Sequence, residues 1–341
     1  MKQILLSGAI VALLLTGCSS AKTAQKSNAD AGTYLSTITA EELKTHLYII
    51  AGDDMEGRDT GTEGQKKAGK YLIEQYKKNG ISHPPIAADW YQKVPSEYMK
   101  RGFAPKLPDS ENIWAFIKGS EKPDEIIVIS AHYDHVGMKN GEIFNGADDD
   151  GSGTVALLEI AQAFKIAQQK GHGPKRSILF LHVTGEEHGL HGSRYYSDNP
   201  LYPLKNTVAN INIDMIGRRD TLHPNTNNYI YPIGADRLSS ELHEINEAMN
   251  SKYTQMELDY KYNDRNDPER IYYRSDHYNF AKKGIPALFY FNGVHEDYHM
   301  PTDTPDKIEY DALAKRAQLA FAVAWELANR EERIKVDRDG K

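Results

Sequence analysis

The stretch Ile178-Leu179-Phe180-Leu181-His182-Val183-Thr184-Gly185-Glu186-Glu187 decides how the rest of the chain is read. Its opening is a short, nearly unbroken apolar run, the pattern of a strand buried on both faces rather than on one. It then breaks at Thr-Gly and ends on two acids. Successive strand side chains point to opposite faces, so adjacent glutamates cannot do the same job: one can bind a metal ion while the other reaches a water on that ion.

The same sequence of events recurs along the chain. Ile126 to Ala131 is followed by His132-Tyr133-Asp134, and Val208 to Ile213 is closed by Asp214. Further short runs lie at Asn112 to Ile117, Tyr229 to Ile233 and Ala287 to Phe291. Between them come helix-like stretches at Ser152 to Gln168, Gly192 to Ser197, Arg237 to Asn250, Asp276 to Lys283 and Tyr310 to Arg330. Two helices precede them. One opens at Thr39-Ala40-Glu41-Glu42 and runs through Leu43, Leu47 and Ile50 to a stop at Gly52; the other runs from about Glu63 to Lys78 and ends at Gly80. Alternating strands and helices predict an α/β fold: a three-layer sandwich whose mixed, mostly parallel central sheet carries helices on both faces. Ile81 to Leu107 lacks periodicity and reads as loop or edge structure. In open sheets of this kind functional residues collect beyond the carboxyl ends of the strands, where His132, Glu186 and Asp214 all fall.

Taken one at a time, these acids and imidazoles keep alternatives open. His132 and Asp134, two apart on an extended segment, suit either two ligands or a ligand histidine held by a carboxylate. Asp148-Asp149-Asp150 lies among glycines before an apolar helix, where it could cap that helix or bridge two ions. Asp214 among apolar neighbours needs a cation or a buried salt bridge. His299 sits in a turn before the last helix and is compatible with exposure. Together they make a metal-binding set, because so many carboxylates aimed at one point repel unless cations stand between them. Mixed nitrogen and oxygen donors favour zinc over calcium or magnesium.

With 341 residues and 40% hydrophobic content, the chain is long enough for one enzyme-sized body. Lys2, the apolar stretch Ile4 to Leu15 and the small-residue site before Cys18 predict an export signal over 1–17, too short for a membrane span. Leu15-Thr16-Gly17-Cys18 resembles a bacterial lipobox, which implies lipidation of Cys18 and attachment to the cell envelope through the lipid alone. With Ser19 and Ser20 following, outer-membrane sorting is expected. Cys18 is the single cysteine, so no disulfide can form within the chain. A polar, flexible tether is expected over 18–32 and a single catalytic domain over 33–335. The net charge is −7, becoming −8 once Lys2 is removed, and the basic residues form no stripe, which argues against nucleic-acid binding.

In order, spacing and flanking glycines these motifs resemble the secreted, co-catalytic di-zinc aminopeptidase family, which includes glutamate carboxypeptidases and glutaminyl cyclases. The resemblance runs from about Asp53 to Glu326 and takes in Glu56-Gly57-Arg58-Asp59-Thr60-Gly61-Thr62-Glu63-Gly64 and Ser275-Asp276-His277. It implies a zinc-dependent exopeptidase fold with two Zn2+ ions. Asp149 would bridge them, His132 and Asp214 would complete one site, and Glu187 and His299 the other. It implies further that Asp134 orients His132, that Glu186 is the general base for a metal-activated water, that the Asp149–Asp150 peptide is cis, and that Tyr272, with the adjacent Tyr273 as the alternative, steadies the oxyanion. Arg58, Asp276 and His277 match framework positions.

The implied reaction is hydrolysis of the first peptide bond of substrates with a free N-terminus. Glutaminyl cyclase, a one-zinc acyl transfer on the same fold, is the main alternative; the unbroken Asp148-Asp149-Asp150-Gly151-Ser152-Gly153 favours two metals. A carboxypeptidase of the large type needs an inserted domain that Gly80 to Ser130 cannot hold. A lipid-anchored binding protein with dead metal sites would not keep every ligand and Glu186.

Overall fold

The computed structural model describes residues 30–100 and 106–340. The export signal, Cys18 and most of the tether lie outside these residues. The last three tether residues, however, belong to the fold: Ala31 is buried, Gly32 opens a short helix, and Asp30 accepts hydrogen bonds from Lys252 Nζ (2.8 Å) and from the Tyr253 hydroxyl. Polar composition, the basis for a tether reaching 32, gives no sign of partners more than two hundred residues away.

Among the described residues the main sheet has eight strands: β1 (Tyr91–Val94), β2 (Ser110–Ile117), β3 (Lys122–His132), β4 (Arg176–Val183), β5 (Thr207–Ile213), β6 (Tyr229–Ile233), β7 (Glu257–Leu258) and β8 (Ala287–Phe291). Their order is β1-β2-β4-β3-β5-β8-β6-β7. The central four, β4, β3, β5 and β8, are parallel; β1 and β2 run antiparallel on one flank, and β6 is antiparallel to β8 on the other. The aperiodic stretch 81–107 thus supplies the edge strand β1.

The continuous apolar runs of β3 and β4 have a direct cause in the cores on the two faces of the sheet. Ile127, Ile129 and Ala131 of β3 and Ile178 and Phe180 of β4 enter one core, whereas Ile126, Val128, Leu179, Leu181 and Val183 enter the other. Alternation therefore sorts side chains between two dry faces, each buried Ile or Leu contributing about 1.5–3 kcal/mol. The first core is covered by helices Ala40–Ile50, Glu63–Lys78, Gly153–Gln169, Ser240–Met249 and Tyr310–Asn329. The second is closed by the shorter helices His191–Asp198 and His277–Ala281, through Tyr196 and Phe280.

Helix starts follow the capping residues. Thr39 and Thr62 accept hydrogen bonds from the main-chain N of Glu42 (3.2 Å) and Gln65 (3.4 Å). The single helix expected over Arg237 to Asn250 is two, Ala235–Leu238 and Ser240–Met249. Ser239 between them is extended (φ −143°) and turns its side chain to cap Leu242 N at 3.3 Å. No described helix is long and apolar enough to cross a membrane.

Parallel pairing is what gathers the site. His132 ends β3, Glu186 and Glu187 follow β4, and Asp214 follows β5, so all emerge at one edge of the sheet.

Candidate metal centre

The loop of three aspartates divides its labour. Asp150 is spent on the main chain: Oδ1 accepts from Gly153 N (2.9 Å) and Met215 N (3.2 Å), and Oδ2 from His132 N (3.2 Å). Asp148 is spent likewise, its Oδ1 accepting from Gly217 N at 2.6 Å and its Oδ2 lying 3.1 Å from His295 Nε2. Asp303 accepts from the main-chain N of Asp148 (3.0 Å) and Asp149 (3.2 Å). Only the Asp149 carboxylate is left to the cleft, and its two oxygens part company. Oδ1 is 3.2 Å from His132 Nε2 and Oδ2 is 2.9 Å from His299 Nε2. The Asp149–Asp150 peptide is cis.

Arg58, fully buried, fixes this loop from below. It donates to the carbonyls of Ile50 (2.8 Å), Asn145 (2.7 Å), Gly146 (2.8 Å) and Tyr133 (3.0 Å), tying helix Ala40–Ile50 and the end of β3 to the aspartate loop. Gly146 has φ +55°, and a Cβ there would stand 2.3 Å from Asp149 O, so only glycine fits.

His132 is oriented by the main chain of Asp134 rather than by its carboxylate. Nδ1 lies 3.0 Å from the Asp134 carbonyl, which can only accept, so Nδ1 carries the proton and Nε2 keeps its lone pair for a metal. The Asp134 carboxylate, 3.8 Å away, accepts instead from Thr60 Oγ1 (2.9 Å) and Glu186 N (3.2 Å). It therefore positions the general-base candidate as much as the ligand. Asp214 Oδ1 lies 3.6 Å from His132 Nε2, and its Oδ2 is held by Ser275 Oγ at 2.6 Å. Ser275 ends a buried row across the sheet in which Asn210, Ser130, Asn212 and Ser275 are joined at 2.9, 2.7 and 2.8 Å.

The two glutamates separate as strand geometry requires. Glu187 is enclosed, with Oε2 3.0 Å from His299 Nε2 and Oε1 2.7 Å from His135 Nδ1. Glu186 is partly open to the cleft, and among the described residues no hydrogen bond or ion pair engages its carboxylate. Burial pushes that carboxyl well above the usual carboxylate range, with Asp214, Asp276 and Glu187 adding to the shift and His132 opposing it.

These side chains suit cations. His132 Nε2, Asp149 Oδ2 and Glu187 Oε1 are buried without a hydrogen-bond partner, a costly state unless an ion is shared among them. Burial disfavours a charged imidazole at His299, yet Asp149 and Glu187 carry it up to about 10, which expresses the same demand for positive charge. Among the described residues two donor groups meet the spacing of a metal: His132, Asp149 and Asp214, and His135, Asp149 and Glu187. Mixed imidazole and carboxylate donors are zinc chemistry.

A cleft opens beside the pair. It is lined by the acids Asp149, Glu186 and Asp214, by the apolar Met215, Ile271, Phe289, Phe291 and Val294, and by Arg274, Ser275 and Tyr298. Tyr272 does not line it: this ring packs against Arg237 (4.6 Å) and His277 (5.3 Å), and burial pushes its hydroxyl up to about 12. Its neighbour Tyr273 packs on Tyr278 and Arg270. The tyrosine beside the carboxylates is Tyr298, whose hydroxyl is raised by burial and then by Asp149, Glu187, Glu186 and Asp214. Its position next to His299 was the available signal. A larger cavity of about 520 Å³, lined by Lys175, Lys252, Trp325 and Glu331 among others, contains none of these residues.

Comparison with known proteins agrees with this geometry. Residues 112–324 match the family described as "Peptidase family M28". A "Probable leucine aminopeptidase" of Trichophyton verrucosum is 28% identical over 307 residues, covering 86% of this chain and 75% of the relative. Against several other curated fungal relatives the chain spans 50–57% of their length. A zinc aminopeptidase from Bacillus subtilis superposes with a TM-score of 0.64 at 18% identity, covering 89% of this chain and 99% of that one. A Porphyromonas gingivalis glutaminyl cyclase superposes at 0.63 and 20% identity, covering 84% and 97%. At such identities the likeness is one of fold.

Proposed function

The chain belongs to peptidase family M28, and from that premise we propose that it is a zinc aminopeptidase releasing residues one at a time from free N-termini. The observation that carries the reading is the division of labour at the cleft: Asp149 offers one oxygen to each of two imidazoles, and Glu186 stands beside them with a carboxylate that nothing engages. His132, Asp149 and Asp214 would hold one ion, and Asp149, Glu187 and His299 a second. Bound there, zinc supplies a Lewis acid that makes water nucleophilic near neutral pH. Glu186 takes the water's proton and returns it to the leaving amine, a transfer suited to a carboxyl whose proton affinity is raised. The hydroxyl that faces the developing oxyanion is assigned to Tyr298 in place of Tyr272, because Tyr298 is on the cleft wall and Tyr272 is turned to Arg237.

The carboxylates that line the cleft suit the substrate's ammonium group, and its apolar lining suits an apolar first side chain. A peptide library presented free and N-acetylated tests this, with products read by mass spectrometry. Single residues should leave free peptides, apolar ones fastest, and none should leave acetylated ones. Release from the carboxyl end, or ring closure of N-terminal glutamine without hydrolysis, would replace the reading with another reaction on this fold.

Anchoring at Cys18 belongs to the same reading. Cys18→Ser should free the activity from membranes without altering it, since stable anchoring takes at least two acyl chains. A variant that still sediments with membranes would end the lipid-anchor assignment.

A further inference from the structure

We infer that His135 is a protein donor to the second metal position, beside Asp149, Glu187 and His299. The inference rests on the metal reading above and adds to it an asymmetry between the two ions.

His135 lies three residues beyond His132, in the loop that leaves β3, and is fully buried. Its Nδ1 is 2.7 Å from Glu187 Oε1 and 3.8 Å from Asp149 Oδ2. The shorter distance would suit a hydrogen bond, but the approach is too oblique for one. Nδ1, Glu187 Oε1 and Asp149 Oδ2 are all left buried and unpartnered. Such atoms are costly to leave unmet.

His132 shows the same signature. Its Nε2 stands 3.2 Å and 3.6 Å from oxygens of Asp149 and Asp214 and is likewise unpartnered. His299 Nε2 stands likewise at 2.9 Å and 3.0 Å from Asp149 and Glu187. Donors around a tetrahedral zinc at 2.0–2.1 Å are separated by roughly 3.3 Å, which these approaches bracket. By this criterion His135 belongs with the two ligand histidines. Packing and main chain hold it there: its N donates to Arg58 O at 3.2 Å, and Gly146 admits the ring edge, where any Cβ would be 2.4 Å from Cγ and Cδ2.

The two positions then differ in kind. The second has four protein donors, His135, Asp149, Glu187 and His299, the number that closes a tetrahedral zinc site. The first has three, His132, Asp149 and Asp214, and keeps a place for water or substrate. The second ion is the anchored one, and the first is the one that exchanges.

The protein labelled with 15N-histidine and loaded with 113Cd provides the test. Three imidazoles should show one-bond coupling to cadmium, and His135→Gln should remove the one that couples through Nδ1. Two couplings in the unsubstituted protein, with His135 uncoupled, overturn the inference and leave the metal reading standing. No coupling overturns both. In chelator competition with zinc, His135→Ala should weaken the tighter ion by more than about 10²-fold, beyond what an outer-shell partner supplies, and change the other by less than about 10-fold. A loss below about 10-fold at the tighter ion also overturns it.

Discussion

Glu186→Gln is expected to lower turnover by roughly 10²–10⁴-fold, the usual worth of a positioned proton carrier, while the protein keeps about two zinc ions per chain. Glutamine preserves shape and removes only the ability to take a proton. The metals should stay because the Glu186 carboxylate is engaged by no imidazole, whereas Glu187 lies 2.7 Å and 3.0 Å from two of them. Its main-chain N would still donate to Asp134 at 3.2 Å, so the loop should not move. Glu187→Gln is the control and should release zinc. Steady-state kinetics with elemental analysis of both variants decides the matter. Zinc loss from Glu186→Gln with retention in Glu187→Gln would exchange the two roles.

Arg58→Met should destabilise the fold by about 3–5 kcal/mol, since buried carbonyls left without a donor cost about 1–3 kcal/mol each and several are orphaned at once. Four carbonyls, those of Ile50, Tyr133, Asn145 and Gly146, lose their donor, and methionine can fill the volume but satisfy none of them. On the usual scale this lowers the melting temperature by roughly 6–20 °C. Because Asn145 and Gly146 lead directly into Asp149, zinc affinity should fall as well. Thermal unfolding of the zinc-loaded and chelated protein measures both, and a loss under about 1 kcal/mol would show that water replaces the guanidinium without penalty.

How much of this was legible in the chain depended on whether a residue's neighbours in sequence are its neighbours in space. The helices Ala40–Ile50 and Glu63–Lys78 could be read to the residue or nearly so, because caps, apolar spacing and the terminal glycine are all local. The strand ends that carry His132, Glu186 and Asp214 were legible for the same reason: a dry run ends where a polar side chain begins. β1 was not, since four residues beside prolines and aromatics carry too little alternation to distinguish an edge strand from a loop. The break at Ser239 was hidden because an apolar periodicity continues across it. His135 lies three residues from His132 in a loop, where spacing carries no geometric meaning, and only burial against Gly146 and Glu187 distinguishes it. Tyr272 was placed by the family resemblance, but Arg237, distant in sequence, captures its ring. Resemblance supplied the ligand roles; the division of labour among Asp148, Asp149 and Asp150 required coordinates.

The row of buried amides and hydroxyls beneath Asp214 has a polarity. Asn210 Nδ2 donates to Ser130 Oγ, Ser130 to Asn212 Oδ1, Asn212 Nδ2 to Ser275 Oγ, and Ser275 to Asp214 Oδ2. Every link points the same way, so four dipoles lie head to tail with their positive ends toward one carboxylate, and each polarises the next. The sheet thus acts as an oriented dielectric beneath Asp214, answering part of the charge on that carboxylate. Such a wire has no neutral defect: reversing one hydroxyl makes two donors or two acceptors meet. A change at Asn210 or Ser130, neither of which lines the cleft, is therefore communicated through the row to Asp214, and on the proposed function the strand interior would become part of the electrostatics of the reaction.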